Sequence, residues 1–218
     1  MKIRNLIFVI VPIAMMILTA MTIKNEIKCK IVCFGDSITH GAKVNGQSWV
    51  YLLSKEHKDI EFINEGRNGR KTADKEELLP VLKKYPDTDY FLIFLGVNDL
   101  KDGNDSLVNV CIENMKWMIS KIRETNSKTK IVILSPTEIN LKTMAALNVK
   151  KKYNNNTRLS LINLEKRYKE LAKEESVGFI SLLRSVSPQN YVDGLHPNKK
   201  GQQEVANSVW NGLTKLFH

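Results

Sequence analysis

Cysteine is scarce in this chain. Three residues in 218 exclude a disulfide framework as the source of stability. Cys29 and Cys33 fall on one predicted strand, too far apart along it to bridge each other. The chain has no Gly-x-Gly-x-x-Gly fingerprint and no glycine-rich segment ending in Gly-Lys-Ser/Thr, so nucleotide-dependent chemistry is a poor fit. It has no zinc-ligand spacing and no evident metal-ligand cluster. The formal charge is +10, but the lysines and arginines are spread along the chain and form no basic arm, which argues against a nucleic-acid partner. No linker rich in proline, glycine or serine divides the sequence, and no internal repeat is visible. What remains is one domain of ordinary size, with 43% apolar residues to build a core.

The N-terminus departs from the rest. Lys2 and Arg4 precede an apolar run from Leu6 to Leu18, followed by Thr19-Ala20-Met21. A basic segment, an apolar core and small residues describe an export signal, with cleavage after Ala20 a plausible processing point. The 18 uncharged residues from Leu6 to Ile23 also suit a retained membrane anchor. The residues before Cys29 are Asn-Glu-Ile-Lys, unlike the apolar, small stretch before a lipid-modified cysteine. The expected organisation is a signal peptide or anchor over 1–23 and a folded domain over 24–218. That domain faces away from the cytoplasm and carries about +8 once Lys2 and Arg4 are gone.

From Lys28 onward, apolar bursts alternate with amphipathic stretches. Strands are predicted at Lys30-Phe34, Glu61-Ile63, Tyr90-Leu95, Lys130-Leu134 and Gly178-Leu182. The third is nearly continuous in apolar residues, as suits a strand covered on both faces. Helical faces are read from Trp49, Leu52 and Leu53; from Val108, Cys111, Met115, Met118, Ile119 and Ile122; from Leu161, Leu164, Tyr168, Leu171 and Ala172; and from Val205, Val209, Leu213 and Leu216. Trp49 and the Met115–Ile122 stripe follow helix periodicity and are assigned to the core, not to an acyl pocket. Repeated strand–helix units imply an α/β fold with a parallel sheet between two helix layers. Ligands of such sheets bind beyond the C-terminal strand ends.

Candidate chemistry falls at those ends. Gly35-Asp36-Ser37-Ile38-Thr39 follows the first strand, where a serine hydroxyl would be exposed and the glycine would allow a tight turn. Asp36 or Ser37 could equally be a helix cap and nothing more. Asp193-Gly194-Leu195-His196-Pro197 lies before the last helix, with Pro197 suited to its first turn. That spacing can bring a carboxylate to imidazole Nδ1 and leave Nε2 as a base; the plainer reading is a capped turn with an incidental histidine. Only four histidines exist. His57 lies among Lys55, Glu56, Lys58 and Asp59 and reads as a solvated surface group, and His218 is terminal. His40 could line a pocket, but no carboxylate stands behind it. Gly66-Arg67-Asn68-Gly69-Arg70 follows the second strand and Gly96-Val97-Asn98-Asp99 the third. Each alone is a routine turn; together they could place a glycine N–H and an asparagine amide around an oxyanion. Asp36 and Asp99 are expected to order their turns and not to take protons.

These blocks resemble the SGNH, or GDSL-type, hydrolase superfamily of esterases, lipases and acyl hydrolases. Gly35-Asp36-Ser37-Ile38-Thr39 resembles its first block, Gly69 the second-block glycine, Gly96-Val97-Asn98-Asp99 the third block, and Asp193–Pro197 the last. The four come in order from about Lys28 to the C-terminus, and the second and third look most similar to bacterial arylesterase and acyltransferase relatives. Phe179-Ile180-Ser181-Leu182 departs from the pattern, since many relatives carry an aspartate near Ser181. The resemblance implies a flavodoxin-like three-layer α/β/α sandwich with a five-stranded parallel sheet. It implies Ser37 as nucleophile, His196 as base and Asp193 behind it, with an oxyanion hole from Ser37, Gly69 and Asn98. No cofactor and no metal are required. The expected substrate is a carboxylic ester, from a small molecule, carbohydrate or lipid. A short acyl group is favoured because no insertion between the blocks could form a lid. A lysophospholipase or thioesterase activity, or a glycan-binding protein on the same fold, are the alternatives. Arg67, Arg70 and Lys71 could bring positive charge to the entrance, or could be solvated loop residues.

Overall fold

The computed structural model describes residues 27–217; the signal-peptide or anchor reading of 1–23 and the terminal His218 lie outside the described residues. Five strands form one parallel sheet: β1 (Cys29–Gly35), β2 (Ile60–Gly66), β3 (Tyr90–Phe94), β4 (Lys130–Leu134) and β5 (Gly178–Ile180), in the order β2-β1-β3-β4-β5. That is the flavodoxin-like order, with the switch point between β1 and β3. The helices are α1 (Ser37–His40), α2 (Trp49–Glu56), α3 (Leu78–Lys84), α4 (Asp105–Thr125), α5 (Ala146–Lys150), α6 (Asn155–Glu174) and α7 (Lys199–Leu213).

Strand alternation creates the three layers. Val32, Phe34, Phe91, Ile93, Ile131 and Ile133 face a core shared with α3, α4 and α6. Ile31, Cys33, Leu92, Phe94, Val132 and Leu134 face the opposite core, built with α2 and α7. The stripes read from α4 and α6 are buried throughout, and Trp49 is fully buried among core residues. β5 stops at Ile180, short of the expected Leu182. Beyond it the ladder passes to a side chain, because Leu182 N–H donates to Ser135 Oγ at 2.8 Å. The final helix ends at Leu213, and Leu216 packs from beyond it. Two short helices, α3 and α5, carry no periodicity long enough to be read from sequence.

Three strands end level, since Gly35 pairs with Gly66 on one side and with Phe94 on the other. The two glycines form a floor for α1. A Cβ on Gly35 would lie 2.1 Å from Thr39 Oγ1, and one on Gly66 would lie 2.3 Å from His40 N. Gly35 is therefore needed for space, not for the tight turn expected of it. Gln202 of α7, fully buried, fastens α1 from above: its Nε2 donates to Ile38 O at 3.2 Å and its Oε1 accepts from Trp49 N at 2.9 Å.

Candidate active site

Asp36 caps α1, its Oδ1 accepting from Ile38 N at 2.9 Å. The capping interpretation thus holds for Asp36, and it leaves Ser37, the first helical residue and 7% exposed, with its hydroxyl unspent on the helix. Burial pushes the Asp36 carboxyl up to about 6, against the opposing pull of the Ile38 N–H.

Asp193 and His196 lie on a small closed loop. Val192 N–H donates to His196 O at 2.8 Å, and Tyr191 bridges Pro197 as an antiparallel pair. Gly194 turns the loop at φ +76°, a left-handed conformation that side chains rarely adopt. Pro197 is therefore part of this loop and not the first turn of α7, which Asn198 caps by accepting from Gly201 N at 3.0 Å. The loop turns Asp193 back on His196: Nδ1 lies 2.9 Å from Oδ2 and 3.1 Å from Oδ1, and the His196 backbone N–H donates to Oδ1 at 2.8 Å. Burial pushes the Asp193 carboxyl up, but the His196 side chain and the backbone N–H groups outweigh it and hold the acid well below the usual carboxylate range. With Asp193 ionised, Nδ1 keeps its proton and Nε2 can accept. Ser37 Oγ is 3.0 Å from that Nε2, although 159 residues separate the two in sequence.

Asn98 is buried, and its amide is held at both ends. Tyr153 O–H donates to Oδ1 at 2.7 Å, while Nδ2 donates to Arg70 O at 3.1 Å and stands 3.4 Å from Asp36 Oδ2. The neighbouring Asp99 accepts from Thr72 N and Thr72 Oγ1, at 3.0 and 2.7 Å, which pins the β2 loop to the β3 loop. Gly69 sits in that β2 loop, exposed, with φ +76°; a Cβ there would meet nothing within 4 Å. Its positive φ favours glycine, while the space over it is open.

Neither account of the basic loop fits Arg70, and Arg67, although exposed as a loop residue, is ion-paired. Arg70 is 5% exposed; its Nη1 donates to Gly35 O at 2.7 Å and also to Glu65 O, and its guanidinium lies 4.0 Å from the Phe34 ring centroid. Burial lowers its pKa, against Glu77. Arg67 pairs with Asp74 and Glu77, both at 2.7 Å. Arg70 stitches the ends of β1 and β2 together, and Arg67 ties the β2 loop to the turn that follows it. His57 is likewise no solvated group: it stacks on Trp210 at 3.5 Å between centroids and 17° between planes. His40 is exposed at the end of α1. Tyr153, Gln202 and the buried role of Arg70 were missed in sequence, for an isolated tyrosine after three lysines carries no local signal.

A cavity of about 410 Å3 lies beside the histidine loop, lined among others by Ile139, Leu141, Arg158, Pro188 and Tyr191, and by neither Ser37 nor His196. Among the described residues, no group of three or more His, Cys, Asp or Glu side chains is placed to hold a metal ion, and no helix is long and apolar enough to cross a membrane.

Residues 33–204 match the family described as GDSL-like Lipase/Acylhydrolase. The fold is similar to that of a carbohydrate acetylesterase from Sinorhizobium meliloti (TM-score 0.74, 19% identity, 87% of this chain and 100% of that one). It is also similar to an aryl esterase from M. smegmatis (TM-score 0.74, 20% identity, the same 87% and 100%). A third similar structure is a member of the lipolytic G-D-S-L family from Veillonella parvula DSM 2008 (TM-score 0.68, 20% identity, 86% and 99%). At such identities the likeness speaks for the fold. No curated protein matches the sequence. The family match spans most of the chain and includes every block discussed above: the chain belongs to the GDSL-like lipase/acylhydrolase family and is a serine ester hydrolase.

Proposed function

We propose that the chain hydrolyses short-acyl carboxylic esters through a covalent acyl-enzyme, with Ser37 as nucleophile, His196 as general base and Asp193 orienting the imidazole. The observation that carries this is the unbroken line from Ser37 Oγ to His196 Nε2 and from His196 Nδ1 to Asp193. Nε2 takes the hydroxyl proton as Oγ attacks the ester carbonyl. The resulting oxyanion is received by the N–H groups of Ser37 and Gly69 and by Asn98 Nδ2. The contact from Nδ2 to Asp36 is long for a hydrogen bond at 3.4 Å, so that hydrogen is the one left for an oxyanion. The imidazolium then gives its proton to the departing alcohol. Water, deprotonated by His196, attacks the acyl-serine and releases the acid.

The short-acyl preference is supported by the absence of a lid insertion and by the acetylesterase and aryl esterase named among the similar structures. A longer-acyl reading has one observation in its favour, the largely apolar cavity beside the histidine loop. One panel decides between them: kcat/KM for acyl esters of increasing length on a single alcohol, with Ser37→Ala as control. Acetyl to butyryl esters are expected to lead. In a long-chain enzyme each buried methylene would add up to about 0.8 kcal/mol, so a peak at decanoyl would transfer the protein to the lipase-like reading. Ser37→Ala should also lose all labelling by a fluorophosphonate, and undiminished labelling would remove Ser37 from its role.

We also infer export, from Lys2, Arg4 and the Leu6–Leu18 run. N-terminal sequencing of native material is expected to begin after Ala20. An intact Met1 on membrane-bound protein would mean a retained anchor, and on cytoplasmic protein would reject export.

A further inference from the structure

Three lysines are drawn to the Asn98–Asp99 turn by the backbone around them. Lys71 stands between Arg70, whose carbonyl accepts from Asn98 Nδ2, and Thr72, whose N–H donates to Asp99. Lys101 follows Asp99 closely, and its Nζ lies 5.5 Å from the centroid of the Tyr153 ring. Lys151 precedes Tyr153, whose hydroxyl holds the Asn98 amide. A bond from Asp102 N to Lys152 O, 2.8 Å, ties the Lys101 and Lys151 segments together.

No direct ion pair pins this group among the described residues. Among the described residues, none of Lys71, Lys101 and Lys151 has a carboxylate oxygen within 4.0 Å of its ammonium. The adjacent acids are engaged elsewhere, Asp99 with Thr72 and Asp102 with Asn154 Nδ2 at 2.9 Å. The stretch from Ile139 to Lys152 adds Lys142, Lys150 and Lys152 and contains no acid. Burial first, and then the charges of Lys71 and Lys151, lower the pKa of Lys101, with Asp99 pulling the other way. Gathering like charges is unfavourable unless an anion joins them. The β2 loop shows the alternative on the same sheet edge, where Arg67 and Arg70 are satisfied by Glu77.

We propose that Lys71, Lys101 and Lys151 form an anion subsite beside Asn98, and that the ester hydrolysed here carries a phosphate or carboxylate group apart from its scissile carbonyl. This rests on the assignment of Ser37, His196 and Asn98 to the reaction. Binding at the subsite is made equally in ground and transition states, so it acts on KM.

The test uses the full chain and two acetyl esters of one alcohol skeleton, bearing a phosphate or a neutral hydroxyl at the same position. Ether analogues that cannot be hydrolysed are titrated by calorimetry, so that binding is read without turnover. The phosphate ester is expected to have the higher kcat/KM, through a lower KM, with the advantage shrinking as salt is raised. Lys151→Glu, at an exposed position, and Lys101→Gln should each lower the phosphate-to-neutral ratio by roughly two- to fivefold. Equal kcat/KM for the two esters, with equal affinity for the two ethers, overturns the subsite and leaves the esterase reading standing. Preferential binding of the phosphate ether with hydrolysis of neither ester upholds the subsite and overturns the role given to Ser37.

Discussion

The two halves of the site are built differently. Ser37, Gly69 and Asn98 stand on three adjacent strand ends, and bonds from Asn98, Arg70 and Asp99 knit their loops into one another. Asp193 and His196 stand on one loop closed on itself, buttressed from outside by Asn140 N to Gly194 O at 2.7 Å and by Asn148 Nδ2 to Asp193 O at 3.0 Å. Their acids respond to pH in opposite directions. Asp36 is held up by burial, whereas Asp193 is held down by its hydrogen bonds to His196. On the proposed roles, the half that would receive the carbonyl is thus fixed by the sheet, and the half that would move protons by a local turn.

Substitutions can break that contrast, and the largest effect is expected on the proton-moving side. Asp193→Asn keeps the shape of the loop but releases Nδ1 from its carboxylate. Turnover should fall by roughly 10⁴-fold with the fold intact by circular dichroism; a loss under tenfold would show that the loop alone orients His196. Asn98→Ala should lower kcat by roughly 10²–10³-fold if its amide receives the oxyanion. Turnover within twofold of the parent would leave that task to the backbone donors.

The smallest effect is one of stability. The Asp36 carboxyl titrates near 3.8 when unperturbed and about 6 in the fold, so the folded chain retains a proton that the unfolded chain gives up. Its contribution to stability is therefore complete below pH 3.8 and is lost as pH rises through about 6, of order 2–3 kcal/mol in all. Asp36→Asn keeps a capping side chain and should flatten the denaturation midpoint across that window. An unchanged slope would mean that another group sets it. Asp193, with its pKa lowered, works the other way, lending stability above the usual carboxylate range that is lost on acidification.

Much of the fold was legible because burial leaves a periodic trace. The apolar runs of β1, β3 and β4 and the stripes of α4 and α6 needed no further information. At the site, the turns carrying Ser37 and Asn98 were legible from residue type and position after strands, and the turn carrying His196 from residue type and its place before the last helix. What escaped was whatever depends on a distant partner. Arg70 looks like any loop arginine until the carbonyls of Gly35 and Glu65 are seen around it. His57 looks solvated until Trp210, from the other end of the chain, stacks on it. Pro197 was placed one motif too late, because proline suits a loop bridge as well as a first helical turn.

The separation of 159 residues between Ser37 and His196 has a consequence for the chain during its own synthesis. If the two act together as proposed, synthesis delivers the Ser37 hydroxyl early and the His196 imidazole only 159 residues later. The strands and helices between them can collapse and pair while the chain is still growing, yet hydrolytic competence cannot accumulate gradually. On those roles it is expected only once the Tyr191–Pro197 loop has closed and Gln202 of α7 sits over α1. An unfinished chain that lacks His196 is therefore expected to hydrolyse no ester.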